Sequence, residues 1–123
     1  MATYNNVLKE IRLRMKVLNL HLKACSDAWL NCENLLIALA KKDISFSLRT
    51  TQVLEECANI CLGTLQALRT GHQSLHQLAL LCVGICEECA EMCERYKEIK
   101  FQTCAAICRQ CSAIFSPMAY SAI

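Results

Sequence analysis

The stretch CVGICEECAEMC sets cysteines at 82, 86, 89 and 93, in steps of four, three and four. That interval is the repeat of one helix face, since residues three and four apart stack above one another, whereas a strand face repeats every two. The interval returns at Cys57 and Cys61, and again at Cys104, Cys108 and Cys111, while Cys25 and Cys32 stand two turns apart. Cysteine therefore takes positions that a helical core ordinarily fills with Leu and Ile.

The flanking residues extend each stripe into a helix. Leu8, Ile11, Met15, Leu18, Leu22, Cys25, Trp29, Cys32, Leu36 and Leu39 form one seam, which predicts a long first helix started by Thr3 or Asn6 and ended at Lys41 and Lys42. A second helix carries Leu54, Cys57, Cys61, Leu65 and Leu68, begins after the 45–51 region and stops at Gly71, the residue expected just past a helix end. The third begins near Ser74 and carries Leu75, Leu78, the four cysteines and Tyr96 on its inner face, with Gly84 off the stripe. The fourth holds Phe101, Cys104, Cys108, Cys111 and Phe115 and is expected to end before Pro117. Short connections between amphipathic helices make neighbours antiparallel. The expected fold is all-α: an antiparallel up-down-up-down four-helix bundle with a cysteine-lined core, one domain spanning residues 1–123.

Eleven cysteines in 123 residues is about 9%, a level otherwise found in secreted disulfide scaffolds. Such scaffolds are loop-rich, whereas this chain has one proline and three glycines. Helix neighbours four apart also hold their Cβ atoms about 5–6 Å apart, beyond the roughly 3.5–4.5 Å of a disulfide. An odd number would leave one thiol over. No run approaches the roughly 20 apolar residues that cross a bilayer, and the opening segment, broken by Lys9, Glu10, Arg12, Arg14 and Lys16, lacks a secretory core. The expected compartment is the cytoplasm, where thiols stay reduced, with no membrane association. A net charge of +2 with interspersed signs gives no basic stripe for a phosphate backbone, so no nucleic-acid partner is expected.

A core of cysteine packs less volume than one of leucine unless something else fills it, and soft metal ions would do so. Iron–sulfur sites of the bacterial type wrap a loop with a proline after the last ligand, and no proline follows Cys93. Structural zinc wants closed sets of four ligands and does not account for a continuous stripe, though it stays open as an alternative. Cu(I) is a soft ion that thiolates select, and pairs of cysteines on one stripe or on facing helices can hold it. Buried thiolates without counter-charge are unfavourable, so the empty core should hold thiols. One Cu(I) displacing one proton keeps the interior neutral, which sets a capacity on the order of ten ions with coupled proton release. The candidate ligands are Cys25, Cys32, Cys57, Cys61, Cys82, Cys86, Cys89, Cys93, Cys104, Cys108 and Cys111.

The segment Glu56-Cys57-Ala58-Asn59-Ile60-Cys61, the four cysteines of 82–93 and Cys104, Cys108 and Cys111 resemble the second, third and fourth helices of the copper storage proteins, over roughly residues 21 to 115. The resemblance implies Cu(I) storage inside a four-helix bundle, assembly as a homotetramer, and membership of the cytosolic branch. The chain departs from the cysteine-richest members of that branch: His21, Ala28, Leu35, Leu39, Thr50, Ala79, Phe101 and Phe115 stand where further cysteines would be, which implies a smaller capacity.

In such a bundle the 71–76 connection, the inner start of helix one and the end of helix four share one end. His21, His72, His76 and Met118 would gather there as a weak-binding mouth for incoming metal, although the more ordinary reading of His72 and His76 is as polar loop and helix-start residues. Met15 and Met92 read as packing residues. Val7, Leu20 and Ile37 are left over on helix one and suggest a homo-oligomer. An enzyme is not expected, because nothing singles out one cysteine among eleven as a nucleophile with its own base, His21 beside Cys25 being the only such pairing. The alternative function is a structural or interaction bundle whose reduced cysteines bind zinc or sense redox state.

Overall fold

A computed structural model describes residues 2–41, 47–71 and 74–121, which form four helices. They are α1 (Ala2–Lys41), α2 (Leu48–Thr70), α3 (Leu75–Cys93) and α4 (Ile99–Tyr120). Each packs on the next and α4 closes back on α1, so the helices enclose one core. Local chemistry sets the ends. Ser47 caps α2, its hydroxyl accepting from the Thr50 N–H at 3.2 Å. Gly71 stops the same helix at φ 69°, a left-handed conformation that glycine adopts without steric cost, and its N–H returns to the Ala67 carbonyl. Ion pairs join exposed faces: Arg49 with Glu88 from α2 to α3, and Arg109 of α4 with Glu94, just past the end of α3, at 2.6 Å. Solvent screening leaves each worth little.

Three sequence expectations change. The single seam on α1 resolves into two. The core face is His21, Ala24, Cys25, Ala28, Cys32 and Leu35, all buried, while Leu22, Trp29 and Leu36 lie half-buried on an adjacent stripe. Ile11, Met15 and Leu18, expected along the core seam, are exposed, because α1 at 40 residues is about 60 Å long and the other helices are roughly half that. Met15 is thus 58% exposed rather than packed, whereas Met92 is buried as expected.

Helix α4 runs through Pro117 to Tyr120 rather than stopping before it. Proline fits helical φ and forfeits one backbone bond; buried Ala119 holds the last turn in place. Helix α3 ends at Cys93, so Tyr96 lies in the connection and not on the helix face. It stacks on Phe101, with ring centroids 4.3 Å apart.

Candidate metal centre

All eleven cysteines are buried and none is in a disulfide. Each helix turns its stripe inward because the polar residues between the cysteines, such as Glu55, Glu56, Glu87, Glu88 and Glu91, occupy the opposite, exposed side. Four facing stripes then bring sulfurs from different helices together. Cys32, Cys89, Cys104 and Cys108 form one group and Cys61, Cys82, Cys86 and Cys111 a second, with the Sγ atoms of each within 4.8 Å of one another. Cys57, Cys86 and Cys108 form a third that shares one sulfur with each of the others. Cys25 adjoins Cys111 and Cys82 beyond one end, and Cys93 adjoins Cys104 and Cys89 beyond the other. The thiols therefore make one continuous file along the bundle axis.

The spacing suits thiolate–metal bonding. A bond of about 2.3 Å, the value for zinc thiolates, puts two sulfurs on one ion roughly 3.7–4.6 Å apart as the S–M–S angle opens from tetrahedral to linear. The contacts between helices fall at the short end of that range, with Cys61–Cys86 at 3.7 Å, Cys82–Cys111 at 3.8 Å, Cys32–Cys104 at 3.9 Å, and Cys32–Cys89, Cys57–Cys108 and Cys61–Cys82 at 4.0 Å.

Burial without counter-charge favours thiols over thiolates in the empty core, and seven of the eleven cysteines are held high while Cys57, Cys82, Cys93 and Cys108 are held low by their neighbours. Burial, with the Cys111 and Cys82 sulfurs nearby, pushes the Cys25 thiol up to about 12. S–H donors hold Cys108, Cys82, Cys93 and Cys57 low, Cys104 foremost for Cys108 and Cys93 and Cys111 foremost for Cys82. Hydrogen bonding first to Cys104, Cys111 and Cys108 respectively keeps Cys32, Cys61 and Cys86 high. Among the described residues the buried polar side chains are His21, Thr50, Thr64 and Ser112, so no lysine or arginine stands in the core to balance thiolate charge.

Both ends of the file are closed by rings. At one end Phe101 stacks on Tyr96, whose hydroxyl bonds the Thr50 hydroxyl at 2.7 Å, which in turn bonds that of Ser47 at 2.8 Å. At the other, fully buried Phe115 meets His21 edge to face at 4.8 Å. The His21 Nδ1 lies 2.7 Å from the Val17 carbonyl and the His76 Nδ1 3.2 Å from that of Met118. A carbonyl at Nδ1 calls for the proton there, leaving Nε2 with its lone pair in both rings. His21 and Met118 line one open depression between α1 and α4. Three of the four residues expected at the mouth thus share one end of the bundle; His72 lies outside the described residues.

Sequence reasoning overlooked Thr64. It is fully buried, adjoins Cys82 and bonds its own helix at the Ile60 carbonyl at 2.7 Å. Its place one step beyond Cys61 on the same stripe was the available signal. Ala28, Leu35, Ala79, Phe101 and Phe115 fill core volume, as their places on the stripes suggested.

Comparison with known proteins agrees with this geometry. Residues 14–119 match the family described as copper storage protein. The chain is 27% identical over 92 residues to the uncharacterized cysteine-rich protein YhjQ of Bacillus subtilis (strain 168), covering 74% of this chain and 85% of that one. Its fold superposes on the Cu(I)-bound Copper Storage Protein BsCsp3 with a TM-score of 0.79 and 25% identity, over 84% of this chain and 98% of the other. A cysteine file inside a four-helix bundle, matched along most of its length by this family, settles the assignment: the chain belongs to the copper storage protein family.

Proposed function

We propose that the chain stores and buffers Cu(I) in the bundle interior, with all eleven cysteines as ligands. The observation that carries this reading is the sharing of Cys86 and Cys108 among three sulfur groups in a core where no described lysine or arginine is buried. Closed four-thiolate zinc sites would each bury a net charge of about −2 with nothing to offset it, which is costly in a low-dielectric interior. One Cu(I) per thiolate keeps the file neutral, and shared sulfurs suit a chain of bridged ions. The reading places the protein in the cytoplasm, outside any catalytic role; no helix among the described residues is long and apolar enough to cross a membrane. Family kinship further supports a homo-oligomer, with a tetramer as the form implied.

Anaerobic titration with Cu(I) against a competing chelator should show tight uptake of several ions, on the order of ten per chain, with protons released and affinity falling as pH falls, since protons compete for the same sulfurs. Uptake of one or two ions only would sink the storage reading. The two groups of four sulfurs give zinc a specific second reading, which binding of two Zn²⁺ per chain and little Cu(I) would favour.

Metal would enter at the end that holds His21, His76 and Met118. The imidazole Nε2 atoms and the thioether offer weak, exchangeable ligation before transfer to Cys25. Replacing His21 and His76 with Ala should slow loading severalfold while capacity changes by one ion at most. Stopped-flow uptake with unchanged rates would remove the mouth from the scheme.

A further inference from the structure

Charge is unevenly spread along the bundle. At the end that holds His21 and Met118, the described residues beyond Cys25, Cys61, Cys82 and Cys111 carry Lys9, Arg12, Arg14, Lys16, Lys23 and Arg69 against Glu10 alone, a net +5. At the other end the described residues beyond Cys32, Cys57, Cys93 and Cys104 carry five charges of each sign and balance. The thiol-bearing span between holds four acids and one arginine, so the positive field belongs to the mouth. Even Glu10 is held by Arg14 at 2.6 Å. Arg14, Val17, His21 and Cys25 follow in steps of three, four and four on one side of α1, which sets Arg14 one turn outside the depression lined by Val17, His21 and Met118. Leu20, Ile114 and Pro117 make its walls apolar, and its volume of about 660 Å³ is that of a small-molecule site rather than of an interface with a folded donor. His21, 7% exposed, is its buried polar group.

We propose that the mouth binds Cu(I) as the anionic bis-thiolate complex of a small thiol acid, drawn in by Arg14 with Arg69 at the same end. The proposal deepens, and rests on, the reading of this end as the metal entrance. A mouth for bare or imidazole-bound Cu(I) would carry acids, because a field of this sign repels cations. It attracts a Cu(SR)2 anion, whose carboxylates suit guanidinium groups and whose methylene arms suit the apolar walls. The exchange balances with copper remaining Cu(I). Two Cu–S bonds to the donor break and one to a core sulfur forms; the core S–H gives its proton to one departing thiolate, and a solvent proton goes to the other. Two free thiols leave, and the core stays neutral.

The test is anaerobic stopped-flow loading of the full chain from Cu(I) complexes of mercaptoacetate, 2-mercaptoethanol and 2-aminoethanethiol, whose bis-thiolate forms carry charges of about −3, −1 and +1. The parent is compared with Arg14→Glu plus Arg69→Glu at the mouth, and with Lys41→Glu plus Lys100→Glu at the far end, which alters net charge equally. At low salt the mouth variant should take copper from the mercaptoacetate complex roughly tenfold more slowly and from the aminoethanethiol complex faster, with mercaptoethanol between. About 0.5 M salt should close these gaps, and the far-end variant should match the parent throughout. An unchanged mercaptoacetate rate in the mouth variant, or equal slowing with all three complexes, would overturn the proposal and leave the entrance where it is. Slowing by the far-end variant instead would overturn the entrance, and the proposal with it. Total Cu(I) taken up by the same samples reports separately on storage.

Discussion

Replacing Cys86 and Cys108 together with Ala should remove four or more Cu(I) ions from the capacity, well beyond the two that equal, independent ligands would account for. These two sulfurs belong to all three groups between them, and the group that also contains Cys57 exists only through them. Their loss leaves Cys57 as the one sulfur between Cys32, Cys89 and Cys104 on one side and Cys61, Cys82 and Cys111 on the other, so bridged ions at the centre lose most of their ligands. Replacing Cys25 and Cys93, which lie beyond the groups, should cost about two ions. Alanine is the informative substitute because serine would place a hydroxyl among sulfurs and need a partner of its own. Each change trims a small volume, so the empty fold should lose on the order of 1–2 kcal/mol per site. Chelator-competition titration of both double variants measures the contrast, and equal losses would argue for independent sites.

Phe115→Ala and Phe101→Ala should each destabilise the empty protein by about 3–5 kcal/mol, the range for removing a fully packed aromatic side chain. For a chain of this size that lowers Tm by on the order of 10–20 °C. Loading should reduce both deficits, because ions bound to the native state alone add stability by mass action. The two variants should differ in kinetics. Phe115 lies between the His21 end and the thiols, so its removal opens a path and should speed uptake severalfold. Phe101 is backed by Tyr96, whose bond to Thr50 stays in place, so its removal should leave the rate near that of the parent. Calorimetry of the empty and loaded proteins, with stopped-flow uptake, separates the packing effect from the path; equal acceleration would mean that metal enters from both ends.

The cysteine stripes were legible because a helix repeat of three and four leaves little freedom: once four segments share it, their facing sides must meet. The spacing of Cys57 and Cys61 against Cys82 and Cys86 was enough to place them on facing walls. Periodicity reports which side of a helix is apolar but not what covers it, which is why Ile11, Met15 and Leu18 read as core and are exposed. Pro117 read as a stop because proline breaks helix interiors; within four residues of the end it costs a single bond. Tyr96 followed the α3 pattern by one extra turn and instead folds back onto Phe101. Thr64 escaped notice because threonine is ordinarily a surface residue, whereas here its own helix satisfies its hydroxyl.

The lack of lysine and arginine among the buried described side chains reaches past ligand choice. With one ion exchanged for each proton, the interior carries the same charge when empty and when full, and the field outside the bundle hardly changes. A partner could not tell the two states apart by electrostatic attraction. What differs is mechanical: separate S–H groups that slide past one another become a cross-linked inorganic rod joining four helices. Fullness would then be announced by stiffness, measurable as slower amide exchange along α2, α3 and α4.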